Sequence, residues 1–183
     1  MTKDYSPDRL DIKAFVQAGA HLQGHDVLLK YERLAQEAQG LHPDLTVNWQ
    51  VRGELRAVEG QAPESWLHLT VQATQPLLCQ RCLTPVDVPL EVDRWFRFVA
   101  DEATAEALDD ETEEDLLAIS REFDLHALIE DELLMELPVV ARHDECPVPG
   151  TMESSSEDFD AAEEKKPNPF AALSAFKADK PAK

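Results

Sequence analysis

From Leu45 to Ala57 apolar and polar positions alternate without a break. Leu45, Val47, Trp49, Val51, Gly53, Leu55 and Ala57 lie on one side, and Thr46, Asn48, Gln50, Arg52, Glu54 and Arg56 on the other. A period of two over this length predicts a strand with one wet face, and Gly53 predicts a bulge or bend inside it. A second alternating run carries Leu67, Leu69, Val71 and Ala73. A third sets Val86, Val88, Leu90 and Val92 against Asp87, Glu91 and Asp93, and Trp95, Phe96 and Phe98 extend it. Pro85 and Pro89 place that strand at an edge, because proline donates nothing to a ladder. One-sided strands joined by short turns imply an antiparallel sheet, with a barrel-like closure left open.

Helical patterning flanks the sheet. Asp11 is a candidate cap for a helix over Ile12 to Ala20, and Asp26 for one over Val27 to Ala38, with Gly24 and Gly40 as punctuation. After the sheet, Asp124 is placed to cap a helix from Leu125 to Leu137, which Pro138 ends. At about 100° per residue, Glu132 and Glu136 fall inside its apolar stripe. A salt bridge to Arg94 or Arg97 is one reading of them. The other makes the acids of this helix, Glu130, Asp131 and Glu132, partner-binding carboxylates. The expected fold is therefore α+β: a sheet with N-terminal helices and one helix after it, in a single domain over residues 1–150.

Charge changes this picture in two places. Residues 101–115 hold nine acids and no base, a composition that predicts a self-repelling mobile loop. Beyond Gly150 the composition is that of a disordered tail over residues 151–183. One segment in it, 168–176, has the pattern of a short docking helix. Asn168 can cap it, Pro169 suits its first position, and Phe170, Leu173 and Phe176 form an apolar side.

The whole chain of 183 residues carries 37 acids against 17 bases, a formal net charge of −20. Such a field repels a free phosphate backbone and favours a basic protein partner. The competing reading is direct RNA binding through an arginine face formed by Arg52, Arg56, Arg81, Arg94 and Arg97. No apolar run approaches the roughly 20 residues of a membrane helix. Met1 to Asp11 lacks the apolar centre of a secretory signal, so the expected location is the cytoplasm.

Catalytic patterns are missing. There is no GxGxxG, no GxxxxGK[ST] and no GxSxG, and the expectation is a protein without enzymatic activity. His68, on a polar strand face, and His126, in the first turn of the late helix, are expected to need no special role. The three tryptophans are expected in the core. The chemistry that stands out is Cys79-Gln80-Arg81-Cys82 between the second and third strands, with His143-Asp144-Glu145-Cys146 far downstream. Cys79, Cys82, Cys146 and His143 together would make a tetrahedral structural zinc site. The alternatives are three ordinary reduced thiols or a redox pair. The redox reading suffers because a strand, not a helix, follows the CxxC.

Three pieces in this order resemble the YceD family, the large ribosomal RNA subunit accumulation proteins. They are Leu78-Cys79-Gln80-Arg81-Cys82-Leu83 after an alternating strand; Ile129-Glu130-Asp131-Glu132-Leu133-Leu134 leading into Leu137-Pro138-Val139-Val140 and His143 to Cys146; and Lys166-Pro167-Asn168-Pro169-Phe170-Ala171-Ala172-Leu173. Ala141, where the family often has proline, and Glu136, where a small residue is expected, depart from that pattern. The resemblance implies a non-enzymatic role in making, processing or stabilising large-subunit (23S) ribosomal RNA. Taken with the charge, it points to a basic ribosomal protein or assembly factor as the partner.

Overall fold

The computed structural model describes residues 5–147 except position 61. Backbone contacts divide the chain into a unit of residues 1–146 and a second of residues 147–183. The segment 168–176, with Asn168, Pro169, Phe170, Leu173 and Phe176, lies outside the described residues.

Five strands form one open sheet in the order of the sequence. They are β1 (His21–Val27), β2 (Thr46–Arg56), β3 (Glu64–Leu78), β4 (Pro85–Val99) and β5 (Asp115–Ala118). Successive pairs from β1 to β4 are antiparallel, whereas β5 runs parallel to β4. The sheet is thus mixed and does not close into a barrel. β5 pairs only with Phe96–Val99, so the first two-thirds of β4 is an edge, and Pro85 and Pro89 stand where no hydrogen-bond partner is lost.

The expected helix over Val27–Ala38 is replaced by β1, a 3-10 turn at Leu28–Lys30 and a short helix α2 (Glu32–Glu37). Asp26 does not cap. Its carboxylate accepts from the Trp49 indole at 2.6 Å and the Tyr31 hydroxyl at 3.1 Å, and pairs with Lys30. Gly24 does not end an element either. It lies inside β1 opposite Trp49, where a Cβ would come within 2.3 Å of the indole ring. The first helix, α1 (Ile12–Gln17), is capped by Asp11 as expected but stops before Gly19, which takes φ +55°. Gly53 makes no bulge in the β2–β3 ladder. It marks where α1 crosses the sheet, since a Cβ there would lie 2.8 Å from the Val16 Cα.

The acidic stretch 101–115 is not a loop throughout. Asp101 caps a helix α3 (Glu102–Asp109), and Asp115 begins β5. Ala103, Ala105, Ala107 and Leu108 favour the helix, and acids in its first turn suit the positive end of its dipole.

The last helix, α4 (Leu125–Met135), is capped by Asp124 through the Ala127 amide. It lays Leu125, Ile129 and Leu133 on the apolar sheet face of Trp49, Leu69, Val71, Val92 and Phe96. Phe15 and Val16 of α1 and Leu34 of α2 complete this core. The opposite face bears Asn48, Gln50, Arg52, Gln72, Glu91 and Asp93, all exposed.

Candidate metal centre and charged surfaces

β3 and β4 meet in a tight turn that carries the CxxC. The Cys79 amide donates to the Thr84 carbonyl, and the Leu83 amide donates back to the Cys79 carbonyl, both at 2.9 Å. Closing the turn puts Leu83 at φ +58°, a left-handed position that a non-glycine residue seldom takes. The Gln80 amide donates to the Ala141 carbonyl at 2.9 Å. That bond draws the segment after α4 against the turn and brings the two halves of the sequence motif together.

The result is one constellation. The Sγ atoms of Cys79, Cys82 and Cys146 and a ring nitrogen of His143 all lie within 4.8 Å of one another. Cys79 Sγ is 3.9 Å from Cys146 Sγ, and Cys82 Sγ is 3.5 Å from His143 Nδ1. The other imidazole nitrogen, Nε2, is 3.0 Å from the Pro85 carbonyl. A carbonyl only accepts, so Nε2 carries a proton and Nδ1 faces the sulfurs; without a metal, hydrogen bonding to Cys79 and Cys82 raises the imidazole pKa, and a bound metal ion would take Nδ1 in place of a proton. A histidine held this way by a backbone acceptor is oriented as a metal ligand requires.

Burial pushes the Cys79 thiol up, but the amides of Cys82, His143 and Arg81 outweigh it and bring the thiol down to about 5. Bonding to the Thr84 hydroxyl lowers Cys82. Three sulfurs and one nitrogen in this arrangement could hold one soft, tetrahedral metal ion.

The arginines expected to form one RNA-binding face are divided between the two sheet faces and the β3–β4 turn, and four of the five are paired with carboxylates. Arg94 is on the core side, bound to Glu132 at 3.1 Å and Asp115 at 3.0 Å. Arg52, Arg56 and Arg97 are on the opposite face. Glu54 accepts from Arg56 at 3.0 Å and lies 3.7 Å from Arg52, and Glu64 binds Arg97 at 2.7 Å. Arg81 is at the metal constellation. On the exposed face of the sheet, the Arg56 guanidinium lies 4.0 Å from the Trp95 ring centroid, and His68 stacks on Trp95 at 4.4 Å while bonded to Asp93. His68 is therefore not a freely solvated side chain. Trp49 and Trp66 are buried, and Trp95 is half-buried.

The acids of α4 are engaged inside the chain. Glu130 accepts from the Arg33 and Leu34 amides and from Arg33 Nε, and so holds the start of α2. Asp131 pairs with Arg33 at 2.6 Å. Glu132 is buried on Arg94, with burial raising its pKa and Arg94 opposing the rise. Of the two expected stripe acids, Glu132 thus makes the arginine salt bridge, while Glu136 is exposed.

His126, for which no role was expected, links three segments. Its Nδ1 is 2.7 Å from Asp8, and its Nε2 is 2.9 Å from Lys30 Nζ and 3.3 Å from Asp26. No local signal in the sequence marks these contacts, since the partners are up to 118 positions away.

An open mixed sheet with helices on its apolar face defines an α+β protein, whose distinctive chemistry is a cluster of three cysteines and one histidine that could hold a metal ion. The chain matches the family model described as "Large ribosomal RNA subunit accumulation protein YceD" over residues 67–177, and it belongs to that family. The match takes in both halves of the metal constellation. No solved structure matches the chain. Among the described residues no helix is long and apolar enough to cross a membrane.

Proposed function

We propose that the protein supports accumulation of large-subunit ribosomal RNA without catalysis, by holding a basic ribosomal protein or assembly factor in the cytoplasm. The observation that carries this reading is the state of the arginines. Arg52, Arg56, Arg94 and Arg97 all have carboxylate partners, so little positive charge is left to meet phosphate. In contrast, Asp87 and Glu91 on β4 have no cationic partner among the described residues. Glu91 and Asp93 border a concavity of about 690 Å³ on the exposed sheet face, which Gln23, Asn48, Gln50 and Gln72 line with amides. A lysine- or arginine-rich segment suits such a surface. The segment with Asn168, Pro169, Phe170, Leu173 and Phe176, which has the pattern of a short docking helix, is a separate candidate contact for the same partner.

The test is recovery of bound partners at low and high salt, followed by reconstitution from purified components. The expected result is a basic protein whose retention falls as salt rises and weakens with Asp87→Lys and Glu91→Lys. RNA retained by the purified chain with no protein present would overturn the reading.

We also propose that Cys79, Cys82, His143 and Cys146 hold a structural zinc ion that ties the β3–β4 turn to the segment after α4. Purified protein is expected to contain one zinc per chain, and Cys79→Ser and Cys146→Ser are expected to lose it. Metal-free wild type, purified without chelator, would reject the site.

A further inference from the structure

Arg81, in the β3–β4 turn, has no carboxylate partner among the described residues, although the chain carries 37 acids. Its guanidinium is spent on the metal constellation instead. Nε donates to Cys146 Sγ at 2.9 Å, and Nη2 donates to the carbonyls of His143 and Asp144 at 3.1 and 3.2 Å. One side chain from the CxxC turn therefore grips the distant ligand segment at three points. Those points hold the backbone at one ligand, His143, and the sulfur of another, Cys146.

The charge arithmetic gives this grip a purpose. A divalent zinc ion with three thiolates and a neutral imidazole carries one net negative charge. A site at the end of a molecule with net charge −20 would gain nothing from another anion. A guanidinium is permanently charged and its donors are fixed in a fork, so Arg81 cancels that charge without competing for the metal. A donor on a bound thiolate also draws electron density from the sulfur and makes it a poorer nucleophile. Cys82 and Cys146 are both partly exposed; the Cys82 sulfur meets the neutral Thr84 hydroxyl, whereas the Cys146 sulfur alone receives a charged guanidinium donor.

We propose that Arg81 is a positioning residue of the metal centre: it neutralises the zinc–thiolate charge, fixes the His143–Cys146 segment, and protects Cys146 from electrophiles. This rests on the zinc reading above. The arrangement makes the site a slow-exchanging structural clamp rather than a reactive thiol centre.

The experiment uses the full chain loaded with zinc or cobalt(II), as wild type, Arg81→Gln and Arg81→Lys. Cobalt spectra report the ligand set, chelator challenge reports the release rate, and iodoacetamide with peptide mapping reports which cysteine is alkylated first. All three proteins are expected to show the three-sulfur, one-nitrogen spectrum. Arg81→Gln is expected to release metal roughly 10-fold faster, the low end of the effect of removing a group that supports a metal ligand. Its Cys146 should be alkylated before Cys79 and Cys82. Arg81→Lys keeps the charge but loses the fork, and should fall between the two.

A wild-type chain that shows no such cobalt spectrum would reject the zinc reading itself. A normal spectrum with unchanged release and labelling order in Arg81→Gln would reject the role of Arg81 alone. Faster release with all three cysteines labelled together, or an Arg81→Lys protein no better than Arg81→Gln, would reduce Arg81 to general support of the fold and overturn the proposal. If Arg81→Gln fails to fold by circular dichroism, the Arg81→Lys protein decides: wild-type release and labelling overturn the proposal, and an intermediate result supports it.

Discussion

A methyl group on Gly24 would meet the Trp49 indole at 2.3 Å. The indole cannot easily retreat, because its N–H is bonded to Asp26 and its edge meets the His126 ring. Gly24→Ala is therefore expected to destabilise the fold by about 1–3 kcal/mol, the usual cost of overpacking, seen as a lower urea midpoint with an unchanged slope. Glu132 carries a second prediction at this scale. Burial is the larger influence on it and raises its pKa above the ordinary 4.5, against the pull of Arg94. The native state then binds the proton more tightly than the unfolded chain does. Stability is favoured below the unfolded pKa and declines as pH rises through the folded one. Relative to wild type, Glu132→Gln should become progressively more stable as pH rises from about 4.5 toward neutrality, measured by urea unfolding across that range. The periodicity of α4 exposed Glu132 as an anomaly and named Arg94 as a possible partner. It could not tell Glu132 from Glu136, because that depends on which turn of the helix faces the sheet.

At the scale of elements, the long alternating runs were legible because each strand solves its own burial problem with a period of two. β2 was readable almost to the residue. The segment around β1 was not, since His21–Val27 alternates weakly and Asp26 resembles a helix cap. What decides it is the ladder offered by β2, together with the Trp49 and Tyr31 donors that claim the Asp26 carboxylate. The acidic run misled for a related reason. Its charge argued for a loop, but alanines and an Asp101 cap suffice for α3, and β4 still had a free edge for β5. The same logic ranks the acids of α4. Glu130 is nearly buried and satisfies two amides at the start of α2, so Glu130→Ala should cost about 1–2 kcal/mol. Asp131 pairs with Arg33 in the open, and Asp131→Ala should cost under about 0.5 kcal/mol in the same denaturation assay.

For the whole molecule, the metal constellation joins two segments more than 60 positions apart, and its removal should be felt locally. Chelator treatment is expected to raise amide hydrogen exchange at residues 79–84 and 141–146 while leaving the centres of β2 and β3 protected. The candidate ligands were readable from the sequence as CxxC and HxxC spacings, a pattern that ordinary reduced thiols or a redox pair would also produce. Their convergence was not, since it depends on the Gln80–Ala141 bond, the left-handed Leu83 and the carbonyl of Pro85. Arg81 was visible only as one of five arginines. Its pairing with a cysteine sulfur instead of the surrounding acids is a matter of where the chain places it. The sequence by itself determined the alternating strands, the family, the sign of the net charge and the CxxC and HxxC spacings, because each is written in local spacing or composition. The tertiary structure alone decided which arginines are neutralised, which helix acids are consumed, and which sulfur receives a cation. Those outcomes depend on distances between residues far apart in the chain, which no local pattern encodes.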